Sequence, residues 1–348
     1  MSLQTIVRAR TAITTDDGFA VVQDRTAARN QKKVYGHGYY GRHGEVSICR
    51  WTRSSLRGGQ PCYKQLFYGI KSHRCIQLSP ATNYCTQHCD FCWRAKIYKL
   101  PGEVHDWPAP DELLYGLIEE HRKLLSGFKG NPMVSAETFR EAMYPNMSAI
   151  SLSGEALLYP ELGKMIRLMR DSGICTFLVT NGTLVEEMRK LECLPTQLYL
   201  TVAASNRTEF NQLLKSEYRD GWERLQDGLA LASQLDTRVV LRHTLVKGRN
   251  MDDPNAYAEL TRLADPDWIE CKGYSHMGGA TSRNLGLSNM PTLEEIRSFS
   301  QQLCTAMDDS RFRVLAQNRP SRVVLMGSKI VHVTQPETKI PLPACRFL

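Results

Sequence analysis

The 348-residue sequence contains no run of eighteen or more apolar residues, which excludes a helix able to cross a bilayer on its own. Its first residues, MSLQTIVRARTAITTDDG, lack the apolar core of a secretory signal. Asp16 and Asp17 sit badly with an acid-poor organelle transit peptide, so a cytoplasmic location is expected. There is no internal repeat and no low-complexity tract. Nor do the cysteines pair off: there are 11, an odd number, and without a secretion signal a disulfide framework is not expected. Metal or redox chemistry is the reading that remains.

Six of the cysteines fall between residues 49 and 92, while Cys175, Cys193, Cys271, Cys304 and Cys345 are scattered. Cys175 opens a strand-like run and reads as a small buried hydrophobe. Charge is equally uneven. Residues 1–100 hold 16 Lys and Arg against 5 Asp and Glu, whereas the rest of the chain holds 28 against 31. A basic first third is the electrostatic footprint of a phosphate-bearing partner, or simply a soluble extension.

From about residue 75, short apolar runs alternate with amphipathic stretches. CIQLSP (75–80), SAISLSG (148–154), TFLVTNGT (176–183), QLYLTVAA (197–204), TRVVLRHTLV (237–246) and DWIECKGY (267–274) read as strands. Helical spacing marks 111–125, 159–173, 184–191, 221–234 and 254–264. Six such units predict a parallel sheet with helices outside, and six are too few for the eight-fold barrel. The expected fold is α/β, a partial (β/α)6 barrel with its chemistry at the carboxyl ends of the strands. RVVLMGSKIVHVT (322–334) suggests one or two closing strands. The division expected is a basic extension over 1–74, a core over 75–290, and a C-terminal helix with closing strands over 291–348.

Cys85, Cys89 and Cys92 follow the first strand in a CxxxCxxC loop with no fourth cysteine beside them. Thiolates suit zinc and iron–sulfur centres. Structural zinc sites generally recruit two paired sets of ligands. Three thiolates on a four-iron cluster leave one iron open to a substrate. With Phe91 before the last cysteine, this loop resembles that of the radical S-adenosylmethionine (SAM) enzymes. The resemblance implies that Ser153, Gly154 and Glu155, a GGE-like motif ending the second strand, hold the SAM ammonium. Glycine permits close approach there, and the carboxylate is a charge-assisted acceptor. Thr180 and Asn181 in the TNGT turn are candidate SAM contacts, as is Thr244 in LRHTLVKG; the turn read alone is also just a turn.

Cys49, Cys62 and Cys75 precede the loop at intervals of 13 residues. With CYKQLFYGIKSHRC, ISLSGE, LVTNGT, TLVKG and CKGYSHMGG…SNMPT, the set resembles the tRNA 4-demethylwyosine synthase family over roughly residues 40–330. That resemblance implies a second [4Fe–4S] cluster on Cys49, Cys62 and Cys75, where residues alone leave a zinc site or buried thiols open. It implies tRNA(Phe) bearing N1-methylguanosine next to the anticodon as one substrate and pyruvate as the other. It also implies SAM cleavage to a 5′-deoxyadenosyl radical, which takes hydrogen from the N-methyl group. Lys64 is then expected to hold pyruvate as a Schiff base, or else to pair with an anion while the second cluster chelates pyruvate.

Arg42, Arg50, His73 and Arg74 are candidate phosphate contacts, and Trp51, Tyr63 and Trp93 candidate base stackers. GHGYYGRHG (36–44) reads as a nucleic-acid loop. Lys272, Tyr274, Arg283 and Asn289 are candidates for the tRNA face or the active site. The sequence departs from the family at Ala156, where SGEP is usual, and at Gly278–Arg283, where a GYSRxR-like stretch is usual. A flavodoxin domain found in some relatives does not fit into the first forty residues, so an external flavodoxin or ferredoxin is expected to supply the electron. Two rival readings stay open: a two-cluster radical SAM enzyme acting on a peptide or small molecule, and a zinc-bearing RNA-binding module.

Overall fold

The computed structural model describes residues 36–94, 100, 102 and 106–334, together with a two-residue antiparallel ladder between Ile13–Thr14 and Ala20–Val21. Most of the first 35 residues, Cys345 and the rest of the C-terminal segment lie outside the described residues.

Ten strands form a single sheet. In chain order they are β1 (His37–Tyr40), β2 (Gly44–Ser47), β3 (Cys75–Ser79), β4 (Met147–Ile150), β5 (Cys175–Thr180), β6 (Gln197–Thr201), β7 (Arg238–Leu245), β8 (Trp268–Gly273), β9 (Arg313–Asn318) and β10 (Val323–Gly327). Strands β3 to β8 pair in sequence order, every pair parallel. The sheet is extended antiparallel at both ends, by β2 and β1 beyond β3 and by β10 and β9 beyond β8. The six parallel strands expected from the apolar runs are all present, and they make the expected partial (β/α)6 barrel.

Helices cover the outer face. They are α3 (Pro110–Ser126), α4 (Ala136–Ala142), α5 (Leu162–Asp171), α6 (Val185–Arg189), α7 (Arg207–Leu213), α8 (Gly221–Ala232), α9 (Pro254–Ala264) and α10 (Leu293–Met307), after α1 (Arg50–Leu56) and α2 (Tyr63–Tyr68) in the extension. Local chemistry sets their ends. α3 begins with Pro110 and carries Asp111 and Glu112 in its first turn, favourable for the helix dipole. It buries Leu113, Leu117, Ile118 and Leu125 along one stripe. α10 opens with a capping box between Thr292 and Glu295.

Strand alternation splits the core in two. Ile76, Leu78, Ile150, Leu178, Leu198, Leu200, Leu241 and Ile269 face the helices. Their neighbours Met147, Ala149, Phe177, Tyr199, Val240 and Trp268 face the opposite way, into the barrel interior. That interior is filled by the extension: Tyr63, Phe67 and Tyr68 of α2 pack there. Tyr68 makes edge-on ring contacts with Phe177 (5.8 Å), Trp268 (5.9 Å) and Tyr199 (6.4 Å).

One expectation needs correction. The GHGYYGRHG run is no open loop. Tyr39 pairs with Glu45 and His37 with Ser47 across a hairpin whose turn is tight because Gly41 adopts φ +57°. Its Tyr40 hydroxyl donates to Glu112 at 2.9 Å. The one or two closing strands expected in 322–334 are met by Val323–Gly327, which pairs with β8 on one side and, on the other, with β9 from the alternating RVLAQN.

Candidate active site

The cysteine loop leaves β3 and is tied down on several sides. His88 N donates to the Leu214 carbonyl at 2.9 Å, Asp90 N to Leu213 at 2.8 Å, and Glu217 N to Thr86 at 2.9 Å. Arg283 donates through Nη1 to the carbonyls of Cys89 and Cys92, and through Nη2 to that of Arg94 at 2.9 Å. So Arg283, a candidate for the tRNA face or the active site, clamps the cysteine loop and lines its cavity. Cys85, Cys89 and Cys92 line one cavity of about 130 Å³ with Gln87, Ser153, Gly154 and Arg283. Gly154, at φ +71°, admits no side chain: a Cβ would lie 2.3 Å from the Ala81 carbonyl oxygen and 2.4 Å from that of Tyr84. Its backbone therefore lies directly against the turn that precedes the cysteines.

Behind this cavity is a hydrogen-bonded group containing other expected residues. The Glu155 carboxylate, 3% exposed, accepts from Asn181 N at 2.9 Å and Leu157 N at 3.3 Å. Burial pushes its pKa up to about 7 against the opposing pull of these donors and Thr180. Asn181 Nδ2 donates to Thr86 Oγ1 at 2.8 Å, which links the TNGT turn to the cysteine loop. Ser153 and Gly154 thus line the cavity, while Glu155, Thr180 and Asn181 form its backing.

Loss of water contact pushes the Cys85 thiol up to about 12 and raises Cys89 well above its ordinary value. Buried thiols of this kind ionise when a cation compensates the charge, which fits soft-metal ligation. Among the described residues, no group of three His, Cys, Asp or Glu side chains is gathered as ligands of one metal ion. Sulfurs that bind separate irons of a cubane do not converge on one point, so the cysteine trio and its cavity are compatible with a cluster.

Cys49, Cys62 and Cys75 form a second group, at the ends of extension elements. Cys49 caps α1, its sulfur accepting from Thr52 N at 3.4 Å; Cys62 caps α2; Cys75 starts β3. Cys62 and Cys75 pack against the interior aromatic cluster. Burial raises Cys62 to about 11 and Cys75 further, and each is raised again by Cys49.

Lys64, 7% exposed, sits among this group with its ammonium 4.8 Å from the Tyr199 ring centroid and 5.1 Å from that of Phe177. Burial, and then Arg242, lower its pKa. Nearby lies a residue the sequence reading missed. Glu270, fully buried, accepts from Tyr63 Oη (2.9 Å), Tyr68 Oη (2.8 Å), Arg242 Nε (3.0 Å) and Arg242 Nη2 (2.9 Å). Burial favours its neutral form, but Arg242, Lys64 and the two hydroxyls hold the carboxyl below its ordinary value. Lys272, two residues on and on the same face, is lowered to about 8 by burial and by Arg242. Thr244 pairs with Lys272 in register, and no contact described brings it to the cysteine cavity. The available signal was charge at alternate positions of an otherwise apolar strand, Glu270 and Lys272, on the face that also carries Trp268.

The candidate nucleic-acid contacts divide. His73 and Lys71 pair with Glu141 at 2.6 and 2.8 Å, and Arg74 donates twice to the Tyr144 carbonyl. Tyr63 and Tyr274 are buried, and Asn289 donates to the Lys247 carbonyl at 3.0 Å. Arg50 is exposed, Arg42 is exposed beside Asp106, and Trp93 is 41% exposed with the Arg94 guanidinium 3.6 Å from its ring centroid. A larger cavity, about 490 Å³, opens at the amino ends of β7 and β8, lined by Arg238, Asp267, Trp268 and Lys329. No candidate residue lines it.

Comparison with known proteins agrees with this geometry. Residues 79–261 match the profile of the Radical SAM superfamily and residues 263–328 that of Wyosine base formation. The chain is 43% identical over 290 residues to the S-adenosyl-L-methionine-dependent tRNA 4-demethylwyosine synthase of Pyrococcus abyssi, covering 82% of this chain and 84% of that one. It is 38% identical over 317 residues to the Mus musculus synthase TYW1, covering 90% of this chain and 43% of the longer mouse protein. Among solved structures, TYW1 with a lysine-pyruvate adduct bound superposes with a TM-score of 0.76 at 31% identity, covering 88% of this chain and 96% of that one. Archaeal TYW1 gives 0.70 at 29% identity, covering 87% and 94%.

Proposed function

The chain belongs to the tRNA 4-demethylwyosine synthase family of radical SAM enzymes, and from that membership we propose that it condenses N1-methylguanosine next to the anticodon of tRNA(Phe) with pyruvate, forming 4-demethylwyosine. The observation that carries this reading beyond the fold is Lys64. A buried lysine lies against two aromatic rings beside the Cys49, Cys62 and Cys75 group, in a chain that also presents a cysteine-lined cavity at its strand tips. A desolvated amine is the nucleophile that Schiff-base chemistry needs.

Cys85, Cys89 and Cys92 hold the cluster that binds SAM, with Ser153, Gly154 and Glu155 around the methionyl end and Thr180 and Asn181 as further contacts. When bound, cluster and SAM supply a one-electron cleavage that produces a carbon radical able to remove hydrogen from the N-methyl group. Cys49, Cys62 and Cys75 hold a second [4Fe–4S] cluster. Lys64 attacks the pyruvate ketone, losing water to form an imine; the aromatic walls keep bulk water out. The electron comes from a separate flavodoxin or ferredoxin. The location is the cytoplasm; among the described residues no helix is long and apolar enough to cross a membrane.

Anaerobic incubation with SAM, reductant, pyruvate and methylguanosine-bearing tRNA should yield the tricyclic base, and absence of any new base rejects the assignment. Anaerobically purified protein should hold about eight irons. Alanine at Cys85, Cys89 or Cys92 should abolish SAM cleavage. Alanine at Cys49, Cys62 or Cys75 should leave uncoupled cleavage but no product.

A further inference from the structure

Three cations crowd the barrel interior beside the Cys62 thiol. Lys64, Arg242 and Lys272 are gathered around the single carboxylate of Glu270. Arg242 is matched, placing both Nε and Nη2 on Glu270 Oε2. Of the bonds Glu270 accepts among the described residues, three fall on Oε2 and one, from the Tyr68 hydroxyl, on Oε1, and none comes from either lysine. Lys272 has one hydrogen bond among the described residues, to the Ser321 carbonyl at 2.9 Å, and lies 5.1 Å from the Tyr63 ring centroid. An ammonium carries three N–H donors, so two remain for a ligand. Lys272 is also half-buried rather than sealed, and it stands near the carboxyl end of β8, level with Thr244 of β7. A withdrawn cation with spare donors calls for an anion.

We propose that Lys272 binds the carboxylate of the 2-oxo acid substrate while Lys64 receives its ketone carbon. The inference rests on the reading that Lys64 forms an imine with pyruvate. In a 2-oxo acid the two groups sit on adjacent carbons, so one molecule engages both lysines at once. The Lys64 amine adds to the ketone and water leaves as C=N forms. Lys272 stays protonated and makes no covalent bond. It is a specificity-determining residue: a neutral ester or a simple ketone leaves its charge uncompensated.

The test is borohydride trapping on the anaerobically purified full-length protein, in which hydride reduces the imine carbon to a stable secondary amine. Labelled pyruvate and methyl pyruvate, which lacks the carboxylate charge, are titrated separately. Lys272→Gln keeps a donor for the Ser321 carbonyl but removes the charge. It should raise the half-saturating concentration of pyruvate about ten-fold or more while leaving methyl pyruvate little changed. Lys272→Arg should restore most of the preference for pyruvate. An equal shift for both ligands, or none, overturns the proposal and leaves Lys64 as nucleophile. Pyruvate affinity untouched by Lys272→Gln but lost in Cys62→Ala assigns the carboxylate to the cluster instead. No trapping in the unaltered protein overturns the Lys64 imine and this inference together.

Discussion

At the scale of single residues, Glu270 bears the largest consequence. Its carboxylate holds two hydroxyls and a guanidinium inside the barrel. Glu270→Leu should leave the half-buried Arg242 guanidinium without its carboxylate and lower unfolding free energy by about 3 kcal/mol. The double variant with Arg242→Met should lose much less than the sum of the two single changes, as chemical denaturation will show. Gly154 fails differently. At φ +71° with two carbonyl oxygens inside 2.5 Å of an added Cβ, Gly154→Ala should cost more than about 1 kcal/mol. It should also displace the turn before Cys85, measured as reduced iron per chain with the second site still loaded. Of these residues, Gly154 was legible beside its glutamate in a motif at the end of a strand. Glu270 was not, because a carboxylate inside an apolar run reads as a surface charge until its partners, far away in the chain, are known.

At the scale of elements, the segment joining α2 to β3 depends on α4. Glu141 receives Lys71 and His73, and Arg74 donates to the Tyr144 carbonyl just beyond that helix. The hydrogen bond from Lys71, aided by His73, holds the Glu141 carboxyl down to about 2 despite partial burial. A carboxyl whose folded pKa lies below its unfolded value of about 4.3 stabilises the fold above that pH, and the contribution disappears as pH falls toward 2. Solvent screening limits it to about 1 kcal/mol. Glu141→Gln should therefore lower the urea midpoint at pH 7, and the two proteins should converge as acid is added. The parallel strands were legible because burial on both faces leaves nearly continuous apolar runs. The hairpin was not: HGYY in β1 and GEVS in β2 carry no apolar alternation, and only the pairing of β2 against β3, and of β1 against β2, makes them strands.

Across the whole molecule, the basic first third predicts phosphate-driven binding of tRNA. Apparent affinity should fall steeply between 50 and 200 mM salt, by about 10³-fold or more if some six phosphates are engaged. Filter binding that is insensitive to salt would point to another class of substrate. The exposed Arg42, Arg50 and Trp93 are the first positions to vary. The plugging of the barrel by α2 also bears on how the protein is made. Tyr63 and its anchor Glu270 are separated by 207 residues of chain. The ribosome has synthesised almost the entire barrel before the short helix finds the wall it rests on. The second cluster proposed for Cys49, Cys62 and Cys75 would meet a half-built chamber on the nascent chain, so its assembly is expected to follow synthesis of the barrel.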